Sequence, residues 1–266
     1  MFEARSYRLV TGGLAGLGLA FLIFPVLVTI TVSFEASNFI AFPPTGLSTR
    51  WYFQIGSITR IAEATLNSIQ VALASAVLAT GLGGLAAMAL VRSRILLGGA
   101  IAAVLASPVS LPMVAIGMAL IQFFIAIGIA FSWGSLVIGH VVLVIAYPLR
   151  TITSALLLAE PSQEQAARSL GAGPFTVFRT VTLAQIAPGV VSGFLFAFLI
   201  SFDNYPISLF LVRGTLTTMP IELFNHINQN LDPIPAAFST IYIVVLSVLI
   251  ALAEKRYRII SLAIPR

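Results

Sequence analysis

The sequence predicts an all-α polytopic membrane protein with six transmembrane helices, and three observations carry that prediction. Of the 266 residues, 59% are hydrophobic and only 9% are charged, against about 25% charged in an ordinary soluble domain. Mean hydropathy is +1.04. The apolar residues gather into runs of roughly 20, the length that crosses a hydrocarbon core. Net charge is +5 and the pI about 10.1, but the basic residues stand in ones and twos between apolar runs. They form no patch of the kind that binds nucleic acid. The composition also excludes intrinsic disorder and a soluble enzyme domain. There is no cysteine, which removes disulfides, thiolate metal sites and Cys nucleophiles.

The first span is Leu9 to Val32, behind Arg5 and Arg8. It is long for a signal-peptide core and no A-x-A site follows, so it reads as an anchored helix. Residues 34–64, with Pro43-Pro44, Trp51-Tyr52, Arg50 and Arg60, read as an external loop. Asn67 to Leu90 is the second span, stopped by Arg92 and Arg94. The apolar stretch from Ile95 to Phe131 is too long for one straight crossing, and Ser107-Pro108 and Pro112 should bend it, since proline lacks the donor and clashes with the preceding turn. Span three is placed near 98–125 and span four near 134–156. Span five runs from about Gly189 to Val212 and span six from about Ala236 to Leu252.

Charge parity selects this arrangement. Arg92 and Arg94 should share a side with Arg150, Arg168 and Arg179, which requires an even number of crossings between them. The map then puts eleven basic residues inside (Arg5, Arg8, Arg92, Arg94, Arg150, Arg168, Arg179, Lys255, Arg256, Arg258, Arg266) and three outside (Arg50, Arg60, Arg213). Both termini are expected in the cytoplasm. Residues 1–266 are read as a single transmembrane domain.

The loop between spans four and five, about 157–187, carries the most information. Ser162 followed by Gln165 fits a capping box, so a short helix is expected to begin there. Gly171 stands where a helix end needs a left-handed residue, Gly173 adds slack, and Pro174 suits the first position of a second helix. The small pair Ala166-Ala167 allows close approach by another chain. From spacing alone, an amphipathic loop on the lipid surface fits as well as a compact docking knob.

Gln165-Ala166-Ala167, Gly171-Ala172, Phe178, Val181, Leu183 and Pro188-Gly189 resemble the hallmark of the integral-membrane subunits of bacterial ATP-binding-cassette importers. Its pattern is a Glu-Ala-Ala segment, a glycine four residues on, and a later Leu-Pro. Asn67-Ser68, Ser107-Pro108, Ser201-Phe202-Asp203-Asn204-Tyr205, Thr218-Met219-Pro220, Asp232-Pro233 and Ala236-Ala237-Phe238-Ser239-Thr240 extend the likeness over nearly the whole chain. They are most like the second permease of the spermidine/putrescine subfamily, with relatives for opines, other amines, phosphonates or ferric ions as alternatives.

The resemblance implies an importer-type permease fold whose 157–187 loop holds a coupling helix. Glu164, Gln165, Ala166, Ala167 and Gly171 would then contact an ATPase subunit. The implied partners are a second homologous permease, two ATPase subunits that bind ATP and Mg, and a periplasmic or extracellular substrate-binding protein. The lipid bilayer surrounds the chain, no nucleic acid is involved, and no cofactor or metal is expected in the chain itself. Two positions depart from the family pattern. Gln165 stands where a glutamate is usual, with Glu164 one residue earlier as a substitute, and Ala184 replaces the first proline, which should let the second helix continue.

Asp203 is the one acid that the span map places in hydrocarbon, roughly 21 Å along span five at about 1.5 Å per residue. A carboxylate there costs roughly 2.5–3.5 kcal/mol on insertion scales, so it should face a cavity or a partner. It either attracts a cationic substrate, with Asn204 and Tyr205 supplying hydrogen bonds and a cation–π face, or it ties helix ends and pairs with Arg213. Pro206 argues for a break beside it. His140 is a proton relay or a packing residue. His226 is a contact for a docked protein or a solvated loop residue. Trp133 and Trp51-Tyr52 fit an interfacial aromatic belt, and the glycines and alanines of Ala79 to Ala89 suit tight helix packing.

No HExxH, GxSxG or paired intramembrane carboxylates occur, which argues against an intramembrane enzyme. Without a phosphate-binding glycine loop the chain cannot hydrolyse ATP alone. A standalone secondary transporter is the remaining alternative, weakened by the lack of half-to-half similarity.

Overall fold

A computed structural model describes residues 2–56, 58–93 and 95–257. Arg94, Arg258 and Arg266 of the basic map lie outside the described residues, as do the side chains of Glu3, Arg5, Arg8 and Arg256. The described residues are almost wholly helical and divide into two compact units, 1–62 with 223–249, and 63–222 with 250–266.

The first unit contains α1 (Phe2–Val32), α2 (Arg50–Ile55), the start of α3 (Thr59–Arg92), the end of α12 (Met219–Gln229) and most of α13 (Ile234–Tyr257). Its small core is Trp51, Ile61, Ile234 and Ala237. Trp51 was expected in an interfacial belt. Instead it is buried, and its indole N–H donates to the Glu35 carbonyl at 2.6 Å. Residues 34–64 are therefore a structured segment with two helix starts rather than a plain loop.

The second unit contains the rest of α3, α4 (Gly98–Ala106), α5 (Met113–Ala126), α6 (Trp133–Val144), α7 (Ala146–Leu158), α8 (Pro161–Ser169), α9 (Pro174–Val177), α10 (Leu183–Phe202) and α11 (Pro206–Leu211). One core cluster joins Val71, Ala76 and Ala79 to Phe124, Leu136, Leu143, Ala197 and Leu211. A second joins Ala87 to Leu149, Ile152, Leu156 and Ile186. The alanines let α3 lie close to its neighbours, in line with the small-residue rule for membrane helices. Asn67 and Ser68, near the start of α3, hold the chain before α12. The Asn67 amide donates to the Thr217 carbonyl at 3.1 Å and the Met219 N–H donates to Ser68 Oγ at 2.8 Å.

Among the described residues, four helical segments are long and apolar enough to cross a bilayer: Val10–Val32, Arg60–Arg92, Pro174–Phe202 and Ile234–Lys255. Spans three and four are bent pairs instead of single rods. Gly98–Val109 meets Met113–Ala126 at 103°, and Trp133–Val144 meets Ala146–Leu158 at 42°. The first bend lies where Ser107-Pro108 and Pro112 were expected to make one. Its two arms are about 18 and 21 Å long at 1.5 Å per residue, so 98–125 is not a continuous crossing. The second bend has its cause in Pro148, which gives the Val144 carbonyl no donor and crowds it with its ring.

Span five differs most from expectation. The helix begins before Gly189, running from Pro174 through a wide five-residue turn at Phe178–Thr182 into α10, and passes Ala184 without a break. It ends at Phe202, ten residues short of Val212. Pro206 opens α11 there, and the Asn204 side-chain oxygen accepts from the Ile207 N–H at 2.9 Å. These two features terminate one helix and start another.

Candidate functional site: the 157–187 loop and the break after Phe202

The loop between α7 and α10 is two short helices and a turn. No capping box forms at Ser162. The helix starts earlier, with Glu160 as its cap and Pro161 in the first position, where a missing N–H costs nothing. At the other end Gly171 has φ +85°. Its N–H donates to the Arg168 carbonyl at 2.9 Å and the Ala172 N–H to the Ala167 carbonyl at 3.1 Å. That pair of bonds is a Schellman motif, which needs a left-handed residue at this position. Pro174 then opens α9.

Glu164 faces inward. Its carboxylate accepts from the Thr182 hydroxyl at 2.6 Å and is ion-paired with the Arg92 guanidinium. Partial burial pushes its pKa up, but the Thr182 hydroxyl and the Arg92 charge and hydrogen bond, with help from Arg168, hold it below the ordinary carboxylate value. The acid in the first turn of α8 and the base in the last turn of α3 both complement their helix dipoles. Glu164 thus clamps α8 to the end of α3 and to the wide turn, and it does not replace the missing carboxylate at Gln165 on the outer face. The charge map had put Arg92 and Glu164 on one side of the membrane, and that was the available signal for this pair. The outer face of α8 carries Gln165, Ala166, Ser169 and Leu170, all exposed, with Phe175 of α9 73% exposed nearby. Ala167 is half-buried.

The second constellation lies at the break between α10 and α11. Asp203 is the residue after the last turn of α10, not a residue just past mid-span, and it is exposed. Among the described residues its carboxylate makes no hydrogen bond or ion pair. Arg213, a candidate partner, lies instead over the Phe131 ring at 5.2 Å. Asn204 is buried and its amide oxygen is committed to capping α11. Tyr205 is half-buried at the start of α11.

His140 of α6 ties the two sides of this break together. Its Nδ1 is 2.7 Å from Ser201 Oγ at the end of α10, and its Nε2 is 3.1 Å from Ser208 Oγ in α11. The Ser208 hydroxyl donates to the Asn204 carbonyl at 2.7 Å, so it can only accept from the imidazole. Nε2 therefore carries a proton, and with Nδ1 paired to the Ser201 hydroxyl both ring nitrogens are satisfied. Of the two readings of His140, the geometry is that of a packing residue. His226 is half-buried in the last turn of α12, bonded to Asp232 at 3.0 Å.

A groove of about 810 Å³ runs between α3 and α10, lined by Val77, Gly81, Leu85, Met88, Val190 and Phe194 among others. Its one hydroxyl-bearing lining residue is Thr80. Such a lining suits a packed helix or an acyl chain rather than a cation, and it does not include Asp203.

A family profile described as "Binding-protein-dependent transport system inner membrane component" matches residues 79–259. The spermidine/putrescine transport system permease protein PotC of Haemophilus influenzae is 30% identical over 235 residues, covering 88% of this chain and 91% of that protein. The putrescine transport system permease protein PotI of Escherichia coli K12 is 34% identical over 232 residues, 85% of this chain and 82% of the relative. Among solved structures, a bacterial ABC transporter involved in the import of the acidic polysaccharide alginate has a chain that superposes with a TM-score of 0.72. The match covers 96% of this chain and 98% of that one at 15% identity, which establishes a common fold. The capped, clamped helix pair of the 157–187 loop and the broken helix after Phe202 thus belong to a permease. This chain is a member of the family of inner membrane components of binding-protein-dependent transport systems.

Proposed function

We propose that the chain is one of two homologous permeases in an ATP-driven importer for polyamines such as spermidine and putrescine. Two ATPase subunits, which bind ATP and Mg, sit against the cytoplasmic loops, and a substrate-binding protein delivers the solute from the opposite side. Both termini lie in the cytoplasm. Closure of the ATPases pulls on α8, and through the Glu164–Arg92 and Glu164–Thr182 contacts that pull reaches α3 and α10 together. The helices then tilt between inward-open and outward-open arrangements.

The observation that carries the cation reading is Asp203. It is an exposed carboxylate with no partner among the described residues, placed where α10 breaks. The names of the relatives point to the same substrate class. Asn204 is spent on the backbone, so the exposed Asp203 is the group that meets the substrate, with Tyr205 beside it at the start of α11.

The test is uptake of radiolabelled putrescine into proteoliposomes holding the assembled transporter, with ATP inside and the binding protein outside. Asp203→Asn should cut uptake at limiting putrescine by about tenfold or more, equivalent to about 1.4 kcal/mol, with the complex still assembled. Unchanged uptake would contradict the assignment.

A further inference from the structure

The segment between α1 and α2 has an unusual surface. From Ala36 to Thr49 it contains no charged residue. Its large apolar side chains point outward: Phe39 is 69% exposed, Ile40 55%, Phe42 56% and Leu47 80%. In water such a patch is a liability.

The segment is nevertheless held in a defined shape. Glu35, at its start, is fully buried. Its carboxylate accepts from the Thr45 hydroxyl at 2.5 Å, the Ser37 N–H at 2.8 Å and the Thr45 N–H at 2.9 Å. The Thr45 hydroxyl and then the Ser37 amide hold this carboxyl at a pKa of about 2, so the charge is present but turned into the loop. Ala36 N–H bonds to the Gly46 carbonyl at 3.1 Å, and Ser48 N–H to the Phe34 carbonyl at 2.7 Å. The nearby base is also pinned, with the Arg50 guanidinium donating to Asn38 at 2.7 Å and lying 4.2 Å over the Trp51 ring. Both neighbouring charges are thus occupied within the fold.

The position of Phe42 says what meets the apolar face. Its ring packs edge-on against Phe24 of α1, with centroids 6.5 Å apart. Phe24 lies eight residues before the end of α1 at Val32, about 12 Å down the helix axis at 1.5 Å per residue. The loop therefore folds back beside its own span instead of rising away from it. Phe21 and Leu17 of the same helix are also exposed, at 78% and 70%.

We infer that residues 36–47 form a membrane-interface foot, with Phe39, Ile40 and Phe42 seated among the lipids of the leaflet that α1 leaves at Val32. An irregular backbone cannot descend into hydrocarbon with unsatisfied polar groups, so the foot sits at the headgroup–acyl boundary. Apolar side chains such as Phe and Leu on a segment lying in the membrane surface bury to about that depth. The bonds to Glu35, Gly46 and Asn38 occupy part of its polar groups there, and the headgroup region can meet the rest. The interfacial aromatics of this part of the chain are then phenylalanines, in place of the buried Trp51.

The chain's lack of cysteine makes the test direct. Single nitroxide labels are placed at Phe39→Cys, Phe42→Cys and Leu47→Cys, with Asn228→Cys as an exposed reference. The assembled transporter is reconstituted in phosphatidylethanolamine/phosphatidylglycerol vesicles, and collision rates with oxygen and with a water-soluble nickel complex are measured. The labels at 39 and 42 should favour oxygen over nickel by about threefold or more relative to 228, and the label at 47 should fall between. Three variants guard against one of them misfolding. Ratios equal to that at 228 would overturn the inference in favour of a water-exposed loop. Protection of 39 and 42 from both reagents would overturn it in favour of a covering protein.

Discussion

Gly193→Ala should destabilise the chain by about 3 kcal/mol or more, although alanine is the better helix former. Propensity alone favours the substitution by about 0.5–1 kcal/mol. A methyl group at 193, however, would lie 2.5 Å from Thr151 Oγ1 and 2.6 Å from Pro148 Cα. The second contact is with backbone, which cannot rotate away, and it falls where Pro148 kinks the helix pair α6–α7. Overpacking costs typically 1–3 kcal/mol even where side chains can move. Here α7 and α10 must separate, which also stretches the 2.8 Å bond from the Thr151 hydroxyl to the Gly189 carbonyl. Gly189→Ala should behave alike, since its methyl would lie 2.6 Å from Ala155 Cβ and 2.7 Å from the Thr151 carbonyl oxygen. Gly81→Ala is the control, because nothing lies within 4 Å of a methyl there. Fluorescence-detected size-exclusion melting should show a drop on the order of 10 °C for Gly193→Ala and none for Gly81→Ala. Equal melting of the two variants would refute the close α7–α10 approach.

Gly171→Val should leave the transporter assembled but separate ATP hydrolysis from uptake. A methyl at Gly171 meets nothing within 4 Å, so space is not the issue, but φ is +85°. A side chain in that region costs about 1–2 kcal/mol, more when β-branched. The two bonds of the Schellman motif hold α8 and the following turn in one relation. Once they are strained, movement of α8 no longer reaches α10 through Thr182. Asparagine tolerates the left-handed region, so Gly171→Asn should recover part of the coupling. Gly173→Ala should change little, since its backbone is extended and a methyl there also meets nothing within 4 Å. The check is the ratio of putrescine delivered to ATP hydrolysed in proteoliposomes, and a normal ratio for Gly171→Val would remove the glycine from the coupling route.

The features legible in the sequence were those set by composition and by single residues with strong backbone rules. Apolar length located the helices Val10–Val32, Arg60–Arg92 and Ile234–Lys255. Gly171, Pro174, Pro108 and Pro206 marked a cap, a helix start and two breaks through the φ values and donors they impose. What escaped was decided by competing local signals or by contacts distant in sequence. Ser162 and Gln165 satisfy a capping pattern, yet Pro161 claims the first helical position. Trp51 has the composition of a belt residue, but the buried Glu35 carbonyl draws its N–H into the core. Pro148 lies inside an apolar run, and its kink shows only once Val144 loses its donor. Asp203 was located by counting along an uninterrupted helix, and Asn204 ends that helix by capping the next one. Glu164 appeared free to replace the missing carboxylate at Gln165, but Arg92, distant in sequence, takes it.

The proposed function requires the outer face of α8 to seat an ATPase subunit. Leu170 is 89% exposed and the chain has no other thiol to confuse the reading. In the transporter purified with its ATPase, Leu170→Cys carrying a short photocrosslinker should give a permease–ATPase adduct whose yield changes when ATP is added. The same label at Phe39→Cys should give none. No ATPase adduct from position 170 in an assembled, ATP-hydrolysing complex would contradict the claim.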